Sequence, residues 1–238
     1  MNGGGGGMVI RWWIPIAAGI LCLAGCFRGA KAPAPEERYV LEYPSPGLPG
    51  AVPLSGALRV GRFGADESLK TTRMVFRPEP FRKETDFYNL WAVAPDSLVT
   101  DFLLRDFRRA GPFRAVFAEG EPQPARFLVH GYLEAFEETE GPNGRVAALA
   151  ATATLFDLSR KELPERILFQ KGYRFEEPLP EKSARGLARA MSRAAERLSA
   201  QLVRDVYEAA ARREREGAAA RHLPPPHALT LDSARRYR

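Results

Sequence analysis

Cys26 is the residue whose neighbours most narrow its chemistry. It closes an almost uncharged apolar run that begins at Trp12, with the single cation Arg11 ahead of it. A basic flank, an apolar stretch and then small residues is the order of a secretory signal. The run is about 14 residues long, short of the ~20 needed to cross ~30 Å of hydrocarbon. Pro15 inside it argues against a buried core helix. The spacing therefore predicts an exported chain with a cysteine at the end of its cleavage zone.

Leu23-Ala24-Gly25-Cys26 resembles the lipobox of bacterial lipoproteins. That resemblance implies cleavage between Gly25 and Cys26, followed by a diacylglyceryl thioether and an acylated amine on Cys26. The competing reading is an ordinary signal peptide with a chance cysteine. One fatty chain gives only marginal membrane binding at ~0.8 kcal/mol per buried methylene, whereas three would hold the protein on the bilayer. Phe27 stands where an aspartate retains many such lipoproteins at the inner membrane, so the expectation is the outer membrane, facing the periplasm.

No other residue set announces chemistry. The chain lacks a G-x-S-x-G elbow, a phosphate-cradling glycine loop and an H-E-x-x-H pair. His130, His222 and His227 are far apart and have no cysteine partners at metal-ligand spacing. Glu134, Glu137, Glu138 and Glu140 read as the exposed end of a hairpin, and His130 as a plain histidine opposite the inward face of its strand. The expectation is a non-enzyme with no cofactor and no metal.

The 238 residues leave roughly 210 after cleavage, enough for one well-cored domain. Hydrophobic residues make up 45% and charged residues 27%, as in globular proteins. The formal charge of +6 reads as scattered arginine, and export excludes nucleic acid as a partner. Cys22 leaves with the signal and Cys26 takes lipid, so no disulfide staples the mature domain.

The elements follow from period and punctuation. Tyr39–Tyr43, Ala57–Phe63, Thr72–Arg77 and Thr85–Leu90 read as strands. Pro95–Ala110 is a helix with Leu98, Phe102, Leu103 and Phe107 on one face, stopped by Gly111-Pro112. Phe113–Phe117 is a strand. Arg126–Glu138 (Phe127, Val129, Leu133 and Ala135 inward), Arg145–Leu158 (Leu149, Ala151, Ala153, Leu155) and Arg166–Glu176 (Ile167, Phe169, Tyr173, Phe175) form a meander, with a turn at Gly141–Gly144. A long helix opens at Pro180 and Ser183 and runs to about Arg213. Leu187, Met191, Ala195, Leu198, Leu202 and Val206 form its core stripe, and Arg185, Arg189, Arg193 and Arg197 its solvated face. The fold class is α/β: a single domain whose mixed sheet is largely antiparallel, with two packed helices, after the signal peptide. The boundaries are 1–25 signal, 26–38 anchor and tether, 39–216 domain, and 217–238 a disordered basic Pro/Ala/Arg-rich tail.

Phe87-Tyr88-Asn89-Leu90-Trp91 concentrates aromatics just before the first helix. Either Phe87 and Trp91 plug that helix onto the sheet, or Tyr88 and Trp91 form a docking surface, since Trp and Tyr are enriched among binding hot spots. Taken in order, the lipobox, Tyr39-Val40-Leu41, Leu58-Arg59-Val60, Met74–Arg77, the aromatic-Trp-Ala-x-x-Pro stretch, Gly111–Val116 and the last helix with Ala190-Met191-Ser192 resemble the ABC-type transport auxiliary lipoproteins, the PqiC-like group. That resemblance implies a non-catalytic partner of an MCE-domain protein, an ABC permease and its ATPase, serving lipid or hydrophobic-compound transport. MCE rings would match a homo-oligomeric ring of this chain. The alternative is an envelope lipoprotein that scaffolds or activates another machine, such as a cell-wall synthase.

Overall fold

The structure, a computed structural model, describes residues 35–179 and 181–222, and its compact unit begins at Glu36. Nine strands form one sheet: β1 (Glu37–Tyr39), β2 (Leu58–Val60), β3 (Gly64–Ala65), β4 (Arg73–Glu79), β5 (Arg82–Trp91), β6 (Val116–Ala118), β7 (Phe127–Gly141), β8 (Gly144–Asp157) and β9 (Ile167–Pro178). The helices are α1 (Pro95–Ala110), α2 (Leu163–Arg166) and α3 (Ala184–His222), with a 3-10 turn at Glu67–Leu69.

The organising strand is β7. On one edge it pairs antiparallel with β8 along its whole length, and β8 pairs antiparallel with β9, giving the expected meander. Its other edge is taken in succession by β2, β3 and β4, all parallel to it. These three are one broken strand alongside β7, with Gly61–Phe63 and Asp66–Thr72 as excursions. β1 is also parallel to β5, and β2 to β6. The sheet is therefore mixed and not largely antiparallel: among the described residues, antiparallel pairing is confined to β4–β5 and the meander. The cause is that β2, β3 and β4 follow one another along β7 in a single pass in its own direction, where a hairpin partner would run back against it.

One face of the sheet receives α3, which lies across β8 and β9 and against α1. All six residues of its expected apolar stripe are buried, and Ser183 caps its start by accepting the Gly186 N–H at 3.0 Å. α3 runs beyond Arg213 and through Gly217, where the tail was expected to begin, as far as His222. The residues past the expected end are tied to the domain: Glu214 accepts the Ser55 and Gly56 N–H groups, and Arg213 sits 3.4 Å from buried Asp157. α1 has the expected bounds, with Gly111 at φ 74 in the left-handed slot that closes it.

Several strands depart from their expected form. Only Glu37–Tyr39 pairs; Val40–Tyr43 leaves the sheet and runs along α3, where the Glu42 N–H donates to Ser192 Oγ at 2.9 Å. A bulge between Leu133 and Ala135 reverses the alternation of β7, so Phe136 points into the core and Ala135 onto the other face. A shift at Leu155/Phe156 leaves Ile167 exposed. Gly131 leaves room for the Phe63 ring, which a Cβ there would meet at 2.4 Å.

Candidate docking surface and anchor site

The aromatic stretch owes its shape to one side chain. Between Arg73↔Leu90 and Val75↔Thr85 the β4–β5 register slips, and residues Asp86–Asn89 form a wide bulge. Asp86 stitches it: its carboxylate accepts the N–H groups of Tyr88 (2.8 Å) and Asn89 (3.0 Å) and the Asn89 side-chain amide (2.8 Å). Burial works against the ionised form of Asp86, but these three donors outweigh it and hold its carboxyl below the usual range. They also occupy amides that an edge strand would otherwise offer to any passing chain.

The bulge separates the aromatics. Trp91 is 1% exposed, pairs with Tyr39 across the β1–β5 register and meets Phe136 edge-to-face at 5.1 Å. It belongs to the core, so it is not part of a docking surface. Tyr88 is exposed, and so is Phe87, which does not plug α1 as expected. The Arg73 guanidinium lies 4.7 Å from the Phe87 ring centroid and supports it from beneath. The pair that the structure presents is Phe87 and Tyr88. The Asp-x-Tyr-Asn spacing, in which an Asp side chain can bond amides two and three residues on, was the available signal.

Three buried carboxylates, each with its own partners, fix the domain. Asp106 of α1 accepts hydrogen bonds from Tyr43 (2.9 Å), Ser45 (2.6 Å), Arg105 (2.7 Å) and Ser199 (2.6 Å), tying the N-terminal segment to both long helices. Burial and the neighbouring Asp106 charge push the Tyr43 phenol well up. Asp157 accepts from Ser159 and Arg126; burial opposes its ionisation, but these bonds hold its carboxyl low. Glu137 is not exposed on the hairpin as expected: it is buried, 2.9 Å from both Arg77 and Lys83. His130 is exposed and stacks on Phe156 at 5.4 Å. A groove of about 610 Å³ runs between β1 and α3, with Arg38, Arg185, Arg189 and Arg193 along it.

Leu23, Ala24, Gly25 and Cys26 lie outside the described residues. Among the described residues no His, Cys, Asp and Glu group has the makings of a metal site, and no helix is long and apolar enough to cross a membrane.

Residues 39–203 match the family model described as the ABC-type transport auxiliary lipoprotein component. The chain belongs to that family. Family membership makes it an auxiliary component of an ABC-type transport system and a lipoprotein by class, a role that implies no catalysis of its own. Among solved structures, protein XCC0632 from Xanthomonas campestris, a DUF330 protein, aligns with TM-score 0.68 at 17% identity, covering 75% of this chain and 99% of that one. An uncharacterized protein aligns with TM-score 0.57 at 11% identity, covering 72% and 99%. Both speak for the shared fold alone. The PelC dodecamer from Paraburkholderia phytofirmans aligns with TM-score 0.36 at 14% identity, covering 65% and 93%, too loose to carry anything about assembly. No curated protein matches the chain.

Proposed function

We propose that this family member is a non-catalytic accessory anchored through lipid on Cys26 to the outer membrane, facing the periplasm. It docks the MCE assembly of its ABC permease and ATPase, for transport of lipid or another hydrophobic compound, as a ring of copies around the MCE ring. The observation that carries the docking role is the Asp86–Asn89 bulge. It holds Phe87 and Tyr88 outward with its own amides satisfied, so the surface offers aromatic area without inviting strand addition. Rigid aromatics of low side-chain entropy are the usual anchors of interfaces.

The test pairs two variants. Phe87→Ala with Tyr88→Ala weakens co-purification of the MCE subunit at least tenfold, while the melting temperature stays put. Cys26→Ser leaves an unprocessed precursor that takes up no labelled palmitate and is lost from outer-membrane fractions. Undiminished MCE capture, or recovery of a cell-wall synthase in place of MCE and permease subunits, refutes the docking role. Undiminished palmitate labelling refutes the anchor.

A further inference from the structure

Among the described residues the sheet has one long open edge. β1 and β6 are three residues each, and the free edge of β5 is cut short at the bulge that Asp86 stitches. β9 has twelve residues and pairs only with β8. Just past the Val146↔Pro178 partners the Leu179 N–H donates to the Arg145 carbonyl, so the odd-numbered residues of β9 turn their backbone groups to β8. The N–H and C=O groups of Gln170, Gly172, Arg174 and Glu176 therefore point away from the sheet, along about 20 Å of strand. All four residues are exposed.

That stretch lacks the usual guards of an edge, which are bulges, prolines and unpaired charges. The register shift opposite Leu155/Phe156 and Pro178 stand at its two ends, and the Pro178 carbonyl accepts from Arg193 at 2.8 Å. Lys171 turns to the α3 side, where Asp205 holds it at 2.7 Å. Arg174 and Glu176 bond each other at 2.8 Å. Gly172 lies in the middle, and a Cβ there would meet nothing within 4 Å. Across the sheet its row continues to Thr152 and then to exposed Tyr132. The edge thus offers main-chain donors and acceptors around one vacant side-chain place.

We propose that this edge takes an extended segment of the MCE subunit as a further strand, with a large apolar or aromatic side chain of that segment laid over Gly172 toward Thr152. Strand addition draws affinity from main-chain hydrogen bonds and specificity from alternate side-chain places. An aromatic ring beside an edge glycine covers the bare backbone there. A second copy of this chain fits the edge less well. Among the described residues its only edge of matching length is its own β9, and two β9 edges meeting make a two-fold pair, whereas a ring is closed by head-to-tail contacts. The inference rests on the docking reading for the identity of the partner; the mode of contact comes from β9 itself.

The test is residue-resolved hydrogen exchange of the mature acylated chain, with and without the purified MCE subunit. On binding, the amides of Gln170, Gly172, Arg174 and Glu176 slow by about tenfold or more, while those of Lys171, Tyr173 and Phe175, already bonded to β8, change little. Gly172→Pro removes an outward N–H and leaves the β8 ladder whole, a place where an edge strand tolerates proline. It weakens capture of the subunit by about tenfold at an unchanged melting temperature. Should that variant unfold, Gly172→Trp fills the vacant place from this side and gives the same loss. A bound subunit with all four amides still exchanging freely overturns the inference and leaves the docking reading standing. Protection that appears on concentrating this chain alone gives the edge to a second copy and overturns it as well. A subunit that does not bind the parent chain refutes the docking reading, and the inference with it.

Discussion

Replacing Asp106 with alanine tests whether the N-terminal segment is held to the helices as the geometry implies. The carboxylate is 0% exposed and takes four hydrogen bonds. Bonds to a charged group are worth ~1.5–3 kcal/mol each, yet the sum overstates the loss, because Asp106 itself gave up hydration to be there. Tyr43, Ser45 and Arg105 are partly exposed and recover water; Ser199 is buried and does not. The net cost is then at the lower end of the range for breaking a buried pair, about 3 kcal/mol. Ser199→Ala removes one donor of four and costs about 1 kcal/mol. Urea unfolding gives both numbers. Hydrogen exchange adds a local readout: in Asp106→Ala the Glu42 amide, bonded to Ser192, exchanges faster than the β7–β8 amides do. A loss under 1 kcal/mol with the Glu42 amide unchanged refutes the idea that Asp106 is the knot.

Trp91→Ala lowers stability by about 3–5 kcal/mol, since it empties a core site beside Phe136, and a melting temperature near that of the parent would return Trp91 to the surface. Leu198→Asp buries an unpaired charge under α3 and costs several kcal/mol by urea titration; a small effect would mean that α3 is not packed on the sheet. The depressed carboxyl of Asp157 stabilises the fold above the ordinary carboxylate pKa of ~3.9, and that contribution is lost as pH falls below it through the folded-state value. Asp157→Asn is therefore less stable at neutral pH and loses less on acidification; parallel acid curves for the two proteins would count against this.

What the sequence made legible was what periodicity can carry. α1 and the meander each hold enough turns or alternations for their faces to stand out, and the α3 stripe did so for six residues. Ala57–Phe63 was read as one strand that pairs only over Leu58–Val60, and neither β3 nor the parallel pairing of β2 and β3 with β7 was legible. β2 and β3 have three and two residues, too few to show a period, and their partners on β7 lie some seventy positions downstream. The bulge at Ala135 and the one after Asp86 each changed which residue faces out. That is why Phe136 replaced Ala135 in the core, and why Phe87 came to the surface while Trp91 went inside. The paired carboxylate of Glu137 was hidden because its cations sit on other strands.

The broken edge of β7 also sets an order of events for a chain threaded through a membrane N-terminus first. β1 finds its partner only at Asn89–Trp91, β2 only at Val116–Ala118 and Phe127–Val129, and Glu42 waits for Ser192. The segment up to Thr72 can therefore close almost nothing locally, whereas the β4–β5 and β7–β8 hairpins each need only their own turn. Long-range closure of this kind is slow compared with a local hairpin. The nucleus forms late in the chain and recruits the earlier segments afterwards, so folding is largely deferred until translocation has passed the start of α3. Until then β2 and β3 wait without partners and the β1–β5–β4 piece stands with open strand edges, the state in which an envelope chaperone would meet it.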